Sequence, residues 1–147
     1  MKKVVSNILV AVDGSNNSFR AADAAMKLAG DYGAKLFVVT VTHIPEKYHV
    51  SQLEVLESEE RRAEMDDAKK WYEEYIQRAK QNGIVLWTEL LNSHRPVDYE
   101  LLEYAEAKKT NLIVIGTRGR NKLARLLIGS VAYRVVTYSY CPVLLVK

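Results

Sequence analysis

The stretch NLIVIGTRGRNKLARLLIGS, Asn111–Ser130, decides the reading of this chain. It opens on the continuous apolar run Leu112–Ile115, which has strand length, and the run stops at a glycine. The fifteen residues from Gly116 to Ser130 then carry three glycines (Gly116, Gly119, Gly129) and four cations (Arg118, Arg120, Lys122, Arg125). Beyond Ser130 the spacing becomes helical. A strand that is apolar at consecutive positions must be covered on both faces, which is the mark of a parallel sheet between helix layers. A strand that leaves such a sheet through glycine and positive charge, and re-enters order at Gly-Ser, has the makings of a site where backbone amides close around an anion.

The rest of the chain repeats the alternation. NILVAV (Asn7–Val12) is an apolar strand closed by DGSNNS, a cluster of turn and capping residues. Phe19, Ala22, Ala25, Met26 and Ala29 recur at helical spacing within 18–32, and Gly33 lies just past them. KLFVVTV (Lys35–Val41) reads as the second strand, and THIPEKYHVSQ as a loop. From about Leu53 to Gln81 the chain is helix-forming, with a charged middle suited to i,i+4 ion pairs and a docking face of Trp71, Tyr75, Ile76 and Ala79. Trp71 and Tyr75 have the shape to stack on a base, but an i,i+4 aromatic pair reads first as core. IVLWTELL (Ile84–Leu91), a helix over 97–108, the strand Asn111–Gly116, a helix from about Val131 to Tyr138, and a last strand VLLV complete the order. Nine alternating elements with helical crossovers predict one open, doubly wound α/β sheet over residues 1–147.

At 147 residues such a domain buries roughly two-thirds of its unfolded surface without staples. A composition 48% hydrophobic and 27% charged excludes disordered and fibrous classes, and a net charge of +3 is too small to argue for nucleic acid. The single cysteine, Cys141, cannot form an intrachain disulfide and reads as a small buried side chain. Ser6 and Asn7 interrupt the first apolar run, which therefore reads as a strand rather than a leader, and no apolar run approaches the ~20 residues that cross a bilayer. The expected setting is cytoplasmic.

In doubly wound sheets ligands bind beyond the carboxyl ends of the strands, where strand order reverses. VDGS after the first strand and GTRG after the fourth are both carboxyl-end segments. Gly116 is expected to let the chain turn off its strand, and Gly119 to permit close approach. The first amides of the helix after Gly129 would face an anion, and the Ser130 hydroxyl is suited either to cap that helix or to donate to a phosphate. The P-loop pattern G-x-x-x-x-G-K-[ST] and a G-x-G-x-x-G after the first strand are both absent. What is present is G-x2-G-x9-G-S.

With NILVAVDGS at the start and CPVLLVK at the end, that spacing resembles the universal stress protein family over essentially the whole chain. The resemblance implies a five-stranded parallel sheet of order 3-2-1-4-5 and binding of ATP, with Mg2+, in members that keep the glycines. Carried over, Asp13 would meet the ribose hydroxyls (or simply close an Asx turn), and the Val41 backbone would meet adenine. Gly116, Arg118, Gly119 and Arg120 would line ribose and phosphates, while Gly129, Ser130 and the Val131 amide would hold the phosphate tail. The resemblance also implies a homodimer joined through the last strand. Ser93-His94-Arg95 departs from the family, which has a glycine shortly before the proline there.

The function that follows is an ATP-dependent stress-response switch or binding module with slow or no hydrolysis. His43, His49 and His94 have no Ser or Asp partner at motif spacing, and no carboxylate or histidine lies within residues 116–130. Two other readings stay open. One is an ATP-using enzyme of a related α/β fold, although the S-G-G-x-D-S and H-x-G-H patterns are missing; the other is a binding module for other adenylates, or for RNA through the cationic loop, although that loop lacks interleaved aromatics.

Overall fold

The computed structural model describes residues 4–43, 59–118 and 128–147. Its elements run β1 (Asn7–Ala11), α1 (Asn16–Tyr32), β2 (Lys35–His43), α2 (Glu59–Gln81), β3 (Leu86–Ser93), α3 (Val97–Ala107), β4 (Leu112–Gly116), α4 (Ser130–Tyr138) and β5 (Val143–Val146). All four strand pairings are parallel, in the order β3-β2-β1-β4-β5.

The apolar runs behave as two-sided strands. Side chains alternate with period two, so Ile8, Val10, Leu36, Val38 and Val114 pack under α1 and α2, while Leu9, Phe37, Val39, Ile113 and Ile115 pack under α3 and α4. Alanines 21, 22, 25 and 29 let α1 lie close on its face. Tyr75 is buried there, and Trp71 meets Phe19 edge to face at 5.4 Å, so this aromatic pair belongs to the core.

Several boundaries differ from the sequence reading. Helix α1 starts at Asn16 because Ser15 is its cap, accepting the Ser18 N–H at 3.2 Å. Strand β3 starts at Leu86, since the Ile84 N–H is taken by the Ala79 carbonyl at the end of α2. Strands β2 and β3 run on together to His43 and Ser93, two residues into the predicted loops. The N-terminal part of the predicted 53–81 helix, before Glu59, lies outside the described residues.

Paired asparagines tie β1 to β4 at their N-terminal ends. Asn111 Oδ1 accepts the Ser6 and Asn7 amides, and Asn7 Nδ2 donates to the carbonyls of Lys108 and Lys109. At the other end Gly116 decides how closely α1 approaches. A Cβ there would stand 2.9 Å from the carbonyl carbon and Cβ of Asn17. Gly116 is therefore not needed for a turn, as the sequence suggested, since its φ is not positive; it is needed for contact. Gly116→Ala is expected to cost roughly 1–3 kcal/mol as an overpacking change. Urea unfolding measures this, and an unchanged midpoint and slope would rule out the tight contact.

Candidate functional site

The site follows from where β1 stops. The Val12 N–H donates to the Val39 carbonyl at 2.9 Å, after which the chain leaves the sheet. Backbone groups along a strand alternate between its two edges. The amide and carbonyl of Val41, two residues past Val39, therefore lie on the β2 edge that β1 no longer covers. Gly14, in the left-handed region at φ 88°, swings the chain into α1. Asp13 sits on this turn with a carboxylate oxygen accepting the Ser15 N–H at 2.9 Å. The Asx turn is thus formed, and the same residue faces the cleft.

On the β4 side, the Thr117 N–H donates to Val146 at 2.9 Å, and the Thr117 carbonyl accepts the Gly129 N–H. The chain returns to the strand end it left, bringing Gly129 and Ser130 beside Gly116. The result is a cleft of about 230 Å³ at the carboxyl edge of the sheet. Val39 and Val41 of β2 with Val97 and Leu101 of α3 form its apolar side, Ile115 adds apolar surface from β4, and Asp13, Ser15, Thr117, Arg118 and the Gly129–Val131 segment supply its polar lining. Seven of the residues singled out from sequence (Asp13, Val41, Gly116, Arg118, Gly129, Ser130 and Val131) line this one cleft. Gly119 and Arg120, with Lys122 and Arg125, lie outside the described residues.

Three of the helices that begin at this edge line the cleft, and they differ electrostatically. Ser15 caps α1 with its own hydroxyl. The first turn of α3 carries Asp98 and Glu100, which offset the positive end of its dipole. Helix α4 has neither an acidic residue in its first turn nor a side-chain cap bond; its cap is Gly129. Ser130 therefore does not cap the helix, and stands exposed as its first residue. Among the described residues, α4 is thus the helix start at this cleft with neither a side-chain cap nor an acidic first turn, the setting that suits an external anion. Gly129 has φ −72° and ψ 161°, open to any residue, so its backbone does not demand glycine.

Sequence reasoning missed Ser15, Thr117, Val97 and Leu101. The last two lie in a predicted helix with no motif to mark them, and only the packing of α3 brings them to the cleft. It also missed what Ser93-His94-Arg95 does. Arg95 donates from Nε to Glu100 and from Nη2 to Glu103, and Ser93 Oγ donates to Glu100 at 2.8 Å. Glu100 is 9% exposed. Burial works against its charge, but the hydrogen bonds from Arg95 and Ser93 outweigh it and hold the carboxyl below the usual carboxylate range. His43 Nδ1 donates to the Arg95 carbonyl at 3.2 Å, and Cys141 packs against the α3/α4 core.

The model of the universal stress protein family matches residues 5–147 of this sequence. The chain belongs to that family. A universal stress protein of Methanocaldococcus jannaschii is 34% identical over 152 residues, covering 99% of this chain and 84% of the relative. The solved universal stress protein of Lactobacillus plantarum superposes with a TM-score of 0.83 at 28% identity, covering 97% of this chain and 98% of the other. A further universal stress protein, solved in complex with cAMP, superposes with a TM-score of 0.72 at 28% identity and 98% coverage of both chains. The five-stranded order 3-2-1-4-5 is that of the family fold. Among the described residues no helix is long and apolar enough to cross a membrane.

Proposed function

We propose that this universal stress protein binds ATP in the cleft at the β1/β4 edge and acts in the stress response as a nucleotide-dependent switch or binding module. The observation that carries this reading is the start of α4, which among the described residues has neither a side-chain cap nor an acidic first turn, beside an apolar slot. The α4 amides and Ser130 would take the phosphates, with Arg118, Gly119 and Arg120 around them. Asp13, which lines the cleft, would meet the ribose hydroxyls, and the Val41 edge that β1 leaves uncovered would read the base. A relative solved with cAMP supports an adenine nucleotide as the ligand class.

Magnesium fits this set through the ligand rather than the protein. The described residues hold no cluster of three acidic or imidazole groups, and Mg2+ on nucleotides needs only one or two carboxylates beyond phosphate oxygens. When bound it would neutralise phosphate charge.

The same reading makes the protein a homodimer. Hydrogen bonds from Ile113 to Pro142 and from Thr117 to Val146 show that the even residues of β5 face β4. The amides of Val143 and Leu145 therefore point along the outer edge, where a second copy would pair. Val136 and Leu144 expose apolar surface on α4 and β5, at 44% and 40%.

ATP with magnesium at about 100 times its Kd is expected to stabilise the fold by about 2.7 kcal/mol, several degrees at this size. Gly129→Val should abolish that shift in a thermal melt while the apo protein stays folded; normal ATP binding by the variant would remove α4 from the site. Hydrolysis should be slow, because among the described residues the cleft is lined by no histidine and by a single carboxylate, Asp13, which is assigned to the ribose in this reading. Phosphate release in single turnover faster than about 1 per second would instead favour a phosphotransfer enzyme. Light scattering should find a dimer that Leu145→Pro weakens and Leu145→Ala, which keeps the N–H, does not. A wild type that stays monomeric across concentration excludes the dimer.

A further inference from the structure

Two strands of this sheet outrun the others. Strands β2 and β3 stay in register to His43 and Ser93, beyond the point where β1 has left. Side chains then extend the ladder. Thr42 Oγ1 donates to Asn92 Oδ1, and His43 Nδ1 donates to the Arg95 carbonyl at 3.2 Å. The Arg95 N–H donates to Ser93 Oγ at 2.9 Å, and that hydroxyl donates onward to Glu100 at 2.8 Å. The Arg95 guanidinium reaches Glu100 and Glu103 and lies 4.7 Å over the Tyr99 ring. The tip of β2, the tip of β3 and the first two turns of α3 are thereby bonded into one unit.

That unit carries the apolar end of the cleft. Val41 belongs to β2, while Val97 and Leu101 belong to the same turns of α3 as Glu100. Glu100 is nearly buried, so a charge there needs its partners. Without Arg95 the carboxylate would have to turn to water, and α3 would lose the anchor that sets Val97 and Leu101 against Val41. The polar end rests on different contacts, those of Gly116 with Asn17 and of Thr117 with Gly129, none of which involves Arg95.

We infer that Arg95 is a positioning residue that, through Glu100 and Ser93, pre-organises the base-binding end of the cleft and so sets affinity for the nucleoside part of the ligand. The inference rests on the nucleotide reading above. A preformed slot spares a ligand the cost of ordering it. Loss of the brace should therefore be felt by ligands that carry a base, and not by phosphate alone.

Titration calorimetry of the full chain with Mg-ATP, and displacement of ATP by inorganic tripolyphosphate, separate the two ends. Arg95→Ala is expected to weaken ATP roughly tenfold and tripolyphosphate by less than about twofold, within the span that loss of preorganisation accounts for. Glu100→Gln should act in the same direction, and the double variant should lose little more than Arg95→Ala, because both remove one brace. Removal of Arg95 takes a partner from the nearly buried Glu100 carboxylate, so the apo protein should melt a few degrees lower while staying folded. If ATP and tripolyphosphate weaken together, if neither weakens, or if the apo fold collapses, Arg95 is not a positioning residue for the base. A wild type that ignores ATP overturns the nucleotide reading and the brace with it.

Discussion

The parallel pairing of β1 with β4 organises the rest of the molecule. These strands are neighbours in the sheet, yet β1 feeds α1 on one face and β4 feeds α4 on the other. Two chains that leave adjacent strands toward opposite faces must part, and the gap between them is the cleft. Asparagines hold the pair together at the N-terminal end. At the carboxyl end a bare Gly116 lets the α1 backbone come within contact distance without filling the gap. Position and size of the ligand space both descend from this pairing.

Charge then divides the cleft. Helix N-termini converge wherever parallel strands end, and in an unmodified sheet every one of them would attract anions. Among the helices lining the cleft, Ser15 caps α1 and acidic residues offset α3, while the start of α4 has neither, so the cleft is most positive there. The opposite end is walled by valine, leucine and isoleucine. A ligand with an apolar, planar part and an anionic tail fits that polarity.

Glu100 illustrates how a buried charge contributes to shape. On its own, a carboxylate at that depth would be a liability. Bonded to Arg95 and Ser93 it becomes a joint between a helix and two strand tips, and the joint lies where the cleft wall is formed. Glycine at these positions would have no side chain with which to make the joint.

Fold class and the two chain segments that meet at the cleft were legible in the chain because both are local. Continuous apolar runs state two-sided burial, and Gly116 and Gly129-Ser130 mark where the chain leaves β4 and enters α4. Strand boundaries were less legible: whether Ile84 extends a strand or closes a helix depends on which carbonyl its amide finds. What only tertiary structure decided was the apolar end. Val97 and Leu101 look like any helix face until α3 docks on β2, and Arg95 and Glu100 sit five residues apart with nothing in the sequence to show that one is nearly buried. Periodicity records which side of an element is apolar; only packing determines which part of that side is left facing a cleft.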